Sequence, residues 1–488
     1  MTLRSNYVSV PAVYRSTGVK DFEGNPFIEA LPPLEKSKNA IVARLGSYPE
    51  IPTAKDRNCS EIVRTAELGR LRSLIYPLAE YKRAGTNLTL NIRETYVARN
   101  PLSSVDMQRR LALATDSEEF TFPLNWVSTA KGQSLIGISG SGKTTFANAF
   151  ALPYMTVIEH RQYKGKPFVC RQIPWISLRM AHDATLKSLC LQFFEEVDTI
   201  LGNTNFRRQA ESLRGIARMS LLMVHVANVA SIAVIFVDEL QNLKAAKGGN
   251  AVFVLNLFSE IIERAGVSLV IAGTPALESV IEENVRNLRK LNSGGASYFE
   301  PFKFGDPEFD EFCNEYWQYQ FVKKPIALTS GIRKAWFEVG GGNQAFTALA
   351  FVLANRNEVG GREVIDEVAF QRVARYDMAI LQPAIAALRS GTHQALMHFD
   401  DLLSGTSLLQ EFISTNGSIQ RSALSSNANV PVKDTFIDAS MSENGEFDEI
   451  TESVDRQAKT KRSKAKRSST SRLVKSTSQI SLPTETPL

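Results

Sequence analysis

Ten residues, GISGSGKTTF at 137–146, carry the groups that hold a phosphate chain. They fit the pattern G-x-x-x-x-G-K-[ST], with Gly137, Gly142, Lys143 and Thr144 in its fixed places. In such a turn the backbone N–H groups through Ser139, Gly140 and Ser141 converge on an anion. Lys143 would reach the outer phosphate oxygens, Thr144 would ligate Mg²⁺, and Thr145 would follow it at the start of a helix. A pair of carboxylates, Asp238 and Glu239, ends the apolar run VIFV at 234–237. There Asp238 can complete the Mg²⁺ shell while Glu239 orients and polarises an attacking water. A third apolar run, VSLVIAGTP at 267–275, carries Thr274, whose hydroxyl can contact the terminal phosphate or that water. Arg286 and Arg289 are candidates for a cationic finger inserted into a neighbouring subunit's site, though either could be an ordinary surface arginine. Together these residues describe cleavage of ATP with Mg²⁺.

Such groups need rigid elements behind them. QSLIGI (133–138) predicts a buried strand leading into the loop, and TTFANAFAL (144–152) a helix whose N-terminus faces the anion. The acidic strand is expected beside the strand of the phosphate loop. The order is phosphate loop, acidic strand, polar strand end, then a helical segment. This is the organisation of AAA+ P-loop ATPases, an α/β class with a parallel sheet flanked by helices and a small helical lid. The expected division is a mixed N-terminal extension (1–105), an ATPase core (106–300), a helical lid (301–400) and a polar tail (401–488). Within the extension, SEIVRTAELGRLRSLIYPLAEYKRAG (60–85) predicts one helix, with Ile62, Leu68, Leu71, Leu74 and Ile75 on its apolar face and Pro77 bending or breaking it.

Composition excludes several classes. Hydrophobic residues make up 43% and charged residues 22%, and a net charge of +5 over 488 residues leaves any basic surface local. Four scattered cysteines without C-x-x-C argue against a disulfide framework or zinc site. The N-terminus lacks an apolar signal region, and no run reaches membrane-spanning length, so a soluble, intracellular protein without a membrane partner is expected. In the tail the ionisable residues from Asp434 to Asp455 are all acidic and those from Arg456 to Lys475 all basic. Such segregation predicts a disordered arm, serving as a dock for partners, as a tether to DNA, or only as a solvated end.

Beyond these motifs the chain resembles the TnsC/TniB family of AAA+ transposition regulators, most closely the TnsC group of Tn-seven-like elements. The resemblance runs over about residues 10–392. It is carried by AVYRSTGV, NPFIEALPPL and YVARNPL before the phosphate loop, by DATLKSLCLQFFEEVDTILGNTNF, VIFVDELQNL and LVIAGTPAL after it, and finally by RNLRKLNSGG, YWQYQF and LQPAIAALRSG. It implies an ATP-dependent bacterial cytoplasmic protein that forms a ring or filament on double-stranded DNA. Such an oligomer would link a target selector of TniQ/TnsD type to the transposase subunits TnsA and TnsB. It also implies that Lys187 and Thr204 touch DNA phosphates, giving sequence-neutral, salt-dependent binding. One departure concerns the lid. VGGGNQAFTAL has no arginine at the usual sensing position, leaving Gln344 as the polar candidate. Two other readings share the ATPase core: a replication initiator or helicase loader, and a nucleotide-gated DNA scaffold that does not hydrolyse.

Overall fold

The computed structural model describes residues 7–114, 122–181, 184–202, 205–245, 250–277 and 289–390, all within one compact unit. The expected polar tail therefore lies outside the described residues.

Five strands form the central sheet: β2 (Gly132–Gly137), β5 (Trp175–Arg179), β6 (Val234–Asp238), β7 (Ser268–Gly273) and β8 (Ala296–Phe299). They run in the order β5-β6-β7-β2-β8, and every pairing is parallel. A parallel sheet is covered on both faces, so its strands read as continuous apolar runs with successive side chains on opposite sides. Val234 and Phe236 of β6, with Val270 and Ala272 of β7, join the core on one face. Ile235 and Val237, with Leu269 and Ile271, join the core on the other. This is the AAA+ P-loop architecture expected from the motif order.

One expectation about the sheet changes. The acidic strand β6 does not adjoin the loop strand β2, because β7 lies between them. The hairpin strands β3 (Thr156–Tyr163) and β4 (Lys166–Gln172) do not extend the main sheet. They pair with β1 (Val8–Pro11) in a separate sheet of order β1-β3-β4.

The second face carries α6 (Leu186–Leu201), α8 (Ile216–Val229) and α9 (Asn250–Glu260), with the short α7 (Phe206–Ser212) beside α6. The first face carries α5 (Lys143–Ala151) and, from the N-terminal residues, α1 (Lys38–Leu45) and α3 (Ala79–Glu94). The single helix expected over 60–85 is interrupted. α2 spans Glu61–Glu67 and passes into a 3-10 turn at Leu68–Ser73, and α3 then starts at Ala79. Between them Ile75 exchanges backbone hydrogen bonds with Ser47, which together with Pro77 takes the chain out of helix. Ile62, expected in the core, is 73% exposed.

α4 (Ser104–Ala114) follows α3, and two buried arginines, Arg99 in the connection and Arg109 on α4, fasten this region to the sheet. Arg99 donates to the carbonyls of Ile232 and Gly266. Arg109 donates to those of Arg264 and Ala265 and to Asn228 Oδ1. Cations placed on the last carbonyls of helices are favoured by the helix dipole and satisfy otherwise orphaned acceptors.

After β8 come α10 (Pro307–Trp317), α11 (Ser330–Gly340), α12 (Gln344–Glu358), α13 (Glu367–Arg372) and α14 (Gln382–Ser390). Stacked rings of Trp336 with Phe351 and Phe370 lie at their centre. The N-terminal residues grip this helical unit. Arg64, 1% exposed, forms a two-pronged pair with Glu363, both contacts 2.7 Å, and donates to Phe321 O. Ala79 N–H and the Tyr76 hydroxyl donate to Glu308 and Glu311 of α10.

Candidate nucleotide site

β2 ends at Gly137, and the chain turns through left-handed residues at Gly140 (φ 80°) and Gly142 (φ 92°) before α5 begins at Lys143. A side chain at either glycine would be strained, and the alternation builds a concave row of N–H groups. No side chain caps α5, so its N-terminal donors face the loop. Lys143 is buried, and its Nζ donates to Gly137 O at 2.6 Å and Ile138 O at 2.8 Å. The ammonium is thereby held over the loop that is to receive the phosphates.

Thr144 Oγ1 donates to Asp238 Oδ2 at 2.8 Å, across the end of the intervening β7. Burial raises the Asp238 carboxyl above its ordinary value, and the Thr144 hydrogen bond opposes that rise. A buried carboxylate beside a hydroxyl is an oxygen pair suited to a hard divalent cation, whose charge would offset the burial. β7 delivers Thr274 to the same place. Its hydroxyl and that of Ser141 are buried, and neither has a hydrogen-bond partner among the described residues. Orphaned buried hydroxyls at the rim of a phosphate loop fit the oxygens of Mg²⁺–ATP.

Glu239 has φ of +58°, a left-handed conformation costly for a residue with a side chain. Its N–H donates to Asp238 Oδ1. Arg179 at the end of β5 reaches Oε1 at 3.2 Å, and Gln241 Nε2 reaches Oε2 at 2.5 Å. Gln241 Oε1 in turn accepts from Thr274 N–H at 3.3 Å, so the acidic strand and the third strand share one hydrogen-bond chain.

A cavity of about 250 Å³ opens beside the loop. Its polar wall is Gly140 and Gly142–Thr145. Its apolar wall comes from two distant segments: Leu74, Ile75, Tyr76 and Leu78 on one side, and Phe312, Tyr316 and Ala348 on the other. A flat apolar base can pack there with its phosphates on the loop.

Of the residues expected from sequence, Gly137, Ser139–Thr145, Asp238, Glu239 and Thr274 come together. Gln344 reaches the cavity wall, donating to Glu300 O, with its Oε1 buried and without a partner among the described residues. Lys187 is exposed as the second residue of α6. Arg289 is also exposed. Arg286 and Thr204 lie outside the described residues. Sequence reasoning missed Arg179, Gln241, Asn343 and the whole apolar wall. Asn343 alone had a legible signal, that of a helix N-cap just before an apolar helical run.

Residues 128–281 match the sequence profile of the AAA domain family. No curated protein matches the chain. Among solved structures, similarity extends to the Walker-type ATPase of Pyrococcus abyssi at 13% identity and TM-score 0.32, covering 54% of this chain and 71% of that one. Cdc6p from Pyrobaculum aerophilum aligns at 14% identity and TM-score 0.33, over 53% and 62%. A RuvB variant from Thermotoga maritima aligns at 12% and 0.33, over 70% and 90%. Among the described residues no helix is long and apolar enough to cross a membrane.

Proposed function

We propose that this protein binds and hydrolyses ATP, and uses the nucleotide to assemble on double-stranded DNA as a regulator of bacterial transposition. The observation that carries the enzymatic part is the Thr144–Asp238 contact, with Glu239 strained beside it and the unpartnered Thr274 hydroxyl between β2 and β6. On this reading Lys143 exchanges its two loop carbonyls for phosphate oxygens. Thr144 and Asp238 would hold Mg²⁺, which would neutralise charge on the phosphates. Glu239 aligns the attacking water and draws on its proton, while Thr274 donates to that water or to the phosphoryl group being transferred, with ADP as the leaving group. Arg179 and Gln241 fix where the Glu239 carboxylate points.

What supports the DNA and transposition part is the sequence likeness to TnsC/TniB regulators over about residues 10–392. Lys187 is an exposed cation at the carboxyl end of the parallel sheet, in the segment that carries that likeness. Thr204 is its proposed companion, and Arg286 or Arg289 the finger offered to a neighbouring copy. Partners would be further copies of the chain, TnsA and TnsB, and a TniQ/TnsD-type selector, all in the cytoplasm.

The test is ATP turnover and sedimentation of the full chain with and without duplex DNA of arbitrary sequence. ATP-dependent, sequence-neutral association that dissolves on hydrolysis supports the proposal. Turnover without nucleotide-dependent association would leave an ATPase with another client.

A further inference from the structure

The lid meets the phosphate loop through backbone groups that the reaction itself does not use. Asn343, fully buried, precedes α12 and caps it, its Oδ1 accepting from Phe346 N–H at 3.1 Å. The same side chain turns its Nδ2 to Ser139 O at 2.7 Å. Two residues on, Ala345 N–H donates to Gly140 O at 3.0 Å. Two successive carbonyls of the loop are thus taken up by donors of the lid.

This has an electrostatic consequence. A carbonyl oxygen turned toward a phosphate repels it, whereas an N–H attracts it. In a trans peptide the two point in opposite directions. Engaging Ser139 O on the lid therefore turns the Gly140 N–H away from it, and holding Gly140 O there as well removes two repulsive oxygens from play, while the Ser141 N–H is taken up by Ile138 O at 3.2 Å. The fit is close: a Cβ at Gly140 would come within 2.7 Å of Asn343 Oδ1.

We infer that Asn343, rather than Gln344, is the lid residue that answers to nucleotide, as a positioning residue that sets the shape of the phosphate loop. The inference rests on the ATP-binding reading above. Because lid docking and loop shape share these bonds, a docked lid raises phosphate affinity, and bound nucleotide favours the docked lid by the same factor. A side chain that only capped α12 would give no such coupling.

The experiment uses the full chain and a fluorescent ATP analogue. Asn343→Asp keeps the capping oxygen but replaces the donor to Ser139 O with a carboxylate oxygen. Asn343→Ser keeps a cap without the reach and adds no charge, so it decides the matter should the aspartate variant fail to fold. Expected is a nucleotide affinity weaker by about tenfold or more in Asn343→Asp and by less in Asn343→Ser, with turnover at saturating ATP nearly retained. Hydrogen exchange at residues 344–350 should slow on nucleotide addition in the wild type and respond less in the variants. Wild-type affinity and wild-type exchange response in the folded variants would overturn the inference. A wild-type chain that binds no ATP would instead overturn the reading on which it rests.

Discussion

The two walls of the nucleotide cavity are built by opposite means. The polar wall is local: Gly140 and Gly142–Thr145 occupy one turn, and their chemistry follows from residue type and spacing. The apolar wall joins Leu74–Leu78 to Phe312 and Tyr316, more than two hundred positions apart in the chain. What brings these segments together is a set of clamps between the N-terminal residues and the lid, above all Arg64 on Glu363 and Ala79 N–H on Glu308. If the proposed function holds, the first wall would take phosphate, which any nucleotide has. The second would decide which base fits, and its shape depends on how the lid is held. On the proposed reading affinity and selectivity would reside in different parts of the molecule.

If the walls are separable, each can be broken alone. Lys143→Ala removes the one ammonium over the loop, and affinity for ATP and for inorganic triphosphate should fall together by about a hundredfold, measured by calorimetry. Ala348→Phe puts a ring into the base side of the cavity, so ATP binding should weaken about tenfold while triphosphate binding holds. Equal loss of both ligands would mean that the walls are not independent.

Glu363→Ala attacks the clamp behind the second wall. It strands the buried Arg64 guanidinium and should cost about 3 kcal/mol in denaturant unfolding. Acid should act on the same pair. The Arg64 hydrogen bonds hold the Glu363 carboxyl down at about 2, from an ordinary 4.5. A depressed carboxyl stabilises the fold above its unfolded value, so this contribution is full above pH 4.5 and fades as pH falls toward 2. Asp238 is shifted the other way, upward by burial. Since its ionised form is the one suited to Mg²⁺, the Mg²⁺ dependence of ATP binding should weaken on acidification sooner than for an ordinary aspartate, and Asp238→Asn should abolish that pH dependence.

The smallest effect concerns neither wall. Lys187→Ala should reduce the salt slope of duplex binding by about one phosphate contact, read from titrations over a salt series. Parallel lines for the two proteins would remove Lys187 from the DNA interface.

The same contrast explains what could be read in advance. The phosphate loop, Asp238-Glu239 and Thr274 were legible because strand ends must present particular side chains at fixed spacing. The apolar runs of β6 and β7 revealed a sheet buried on both faces. Neighbourhood within that sheet was not legible, since strand order depends on which crossover helix covers which face, and so β7 was not foreseen between β2 and β6. The helix expected over 60–85 failed because the Ser47–Ile75 pairing, a contact distant in sequence, outweighed local periodicity. Arg179 and Gln241 carry no signal of their own, since their role exists only once β5, β6 and β7 lie side by side.

The central claim is that Glu239 performs the chemistry while the loop performs the binding. It is tested most directly by Glu239→Gln, with nucleotide affinity and phosphate release measured on the same preparation in the presence of Mg²⁺. Affinity should stay within about twofold of wild type and release should fall by about a hundredfold or more. Phosphate release at the wild-type rate would contradict the account.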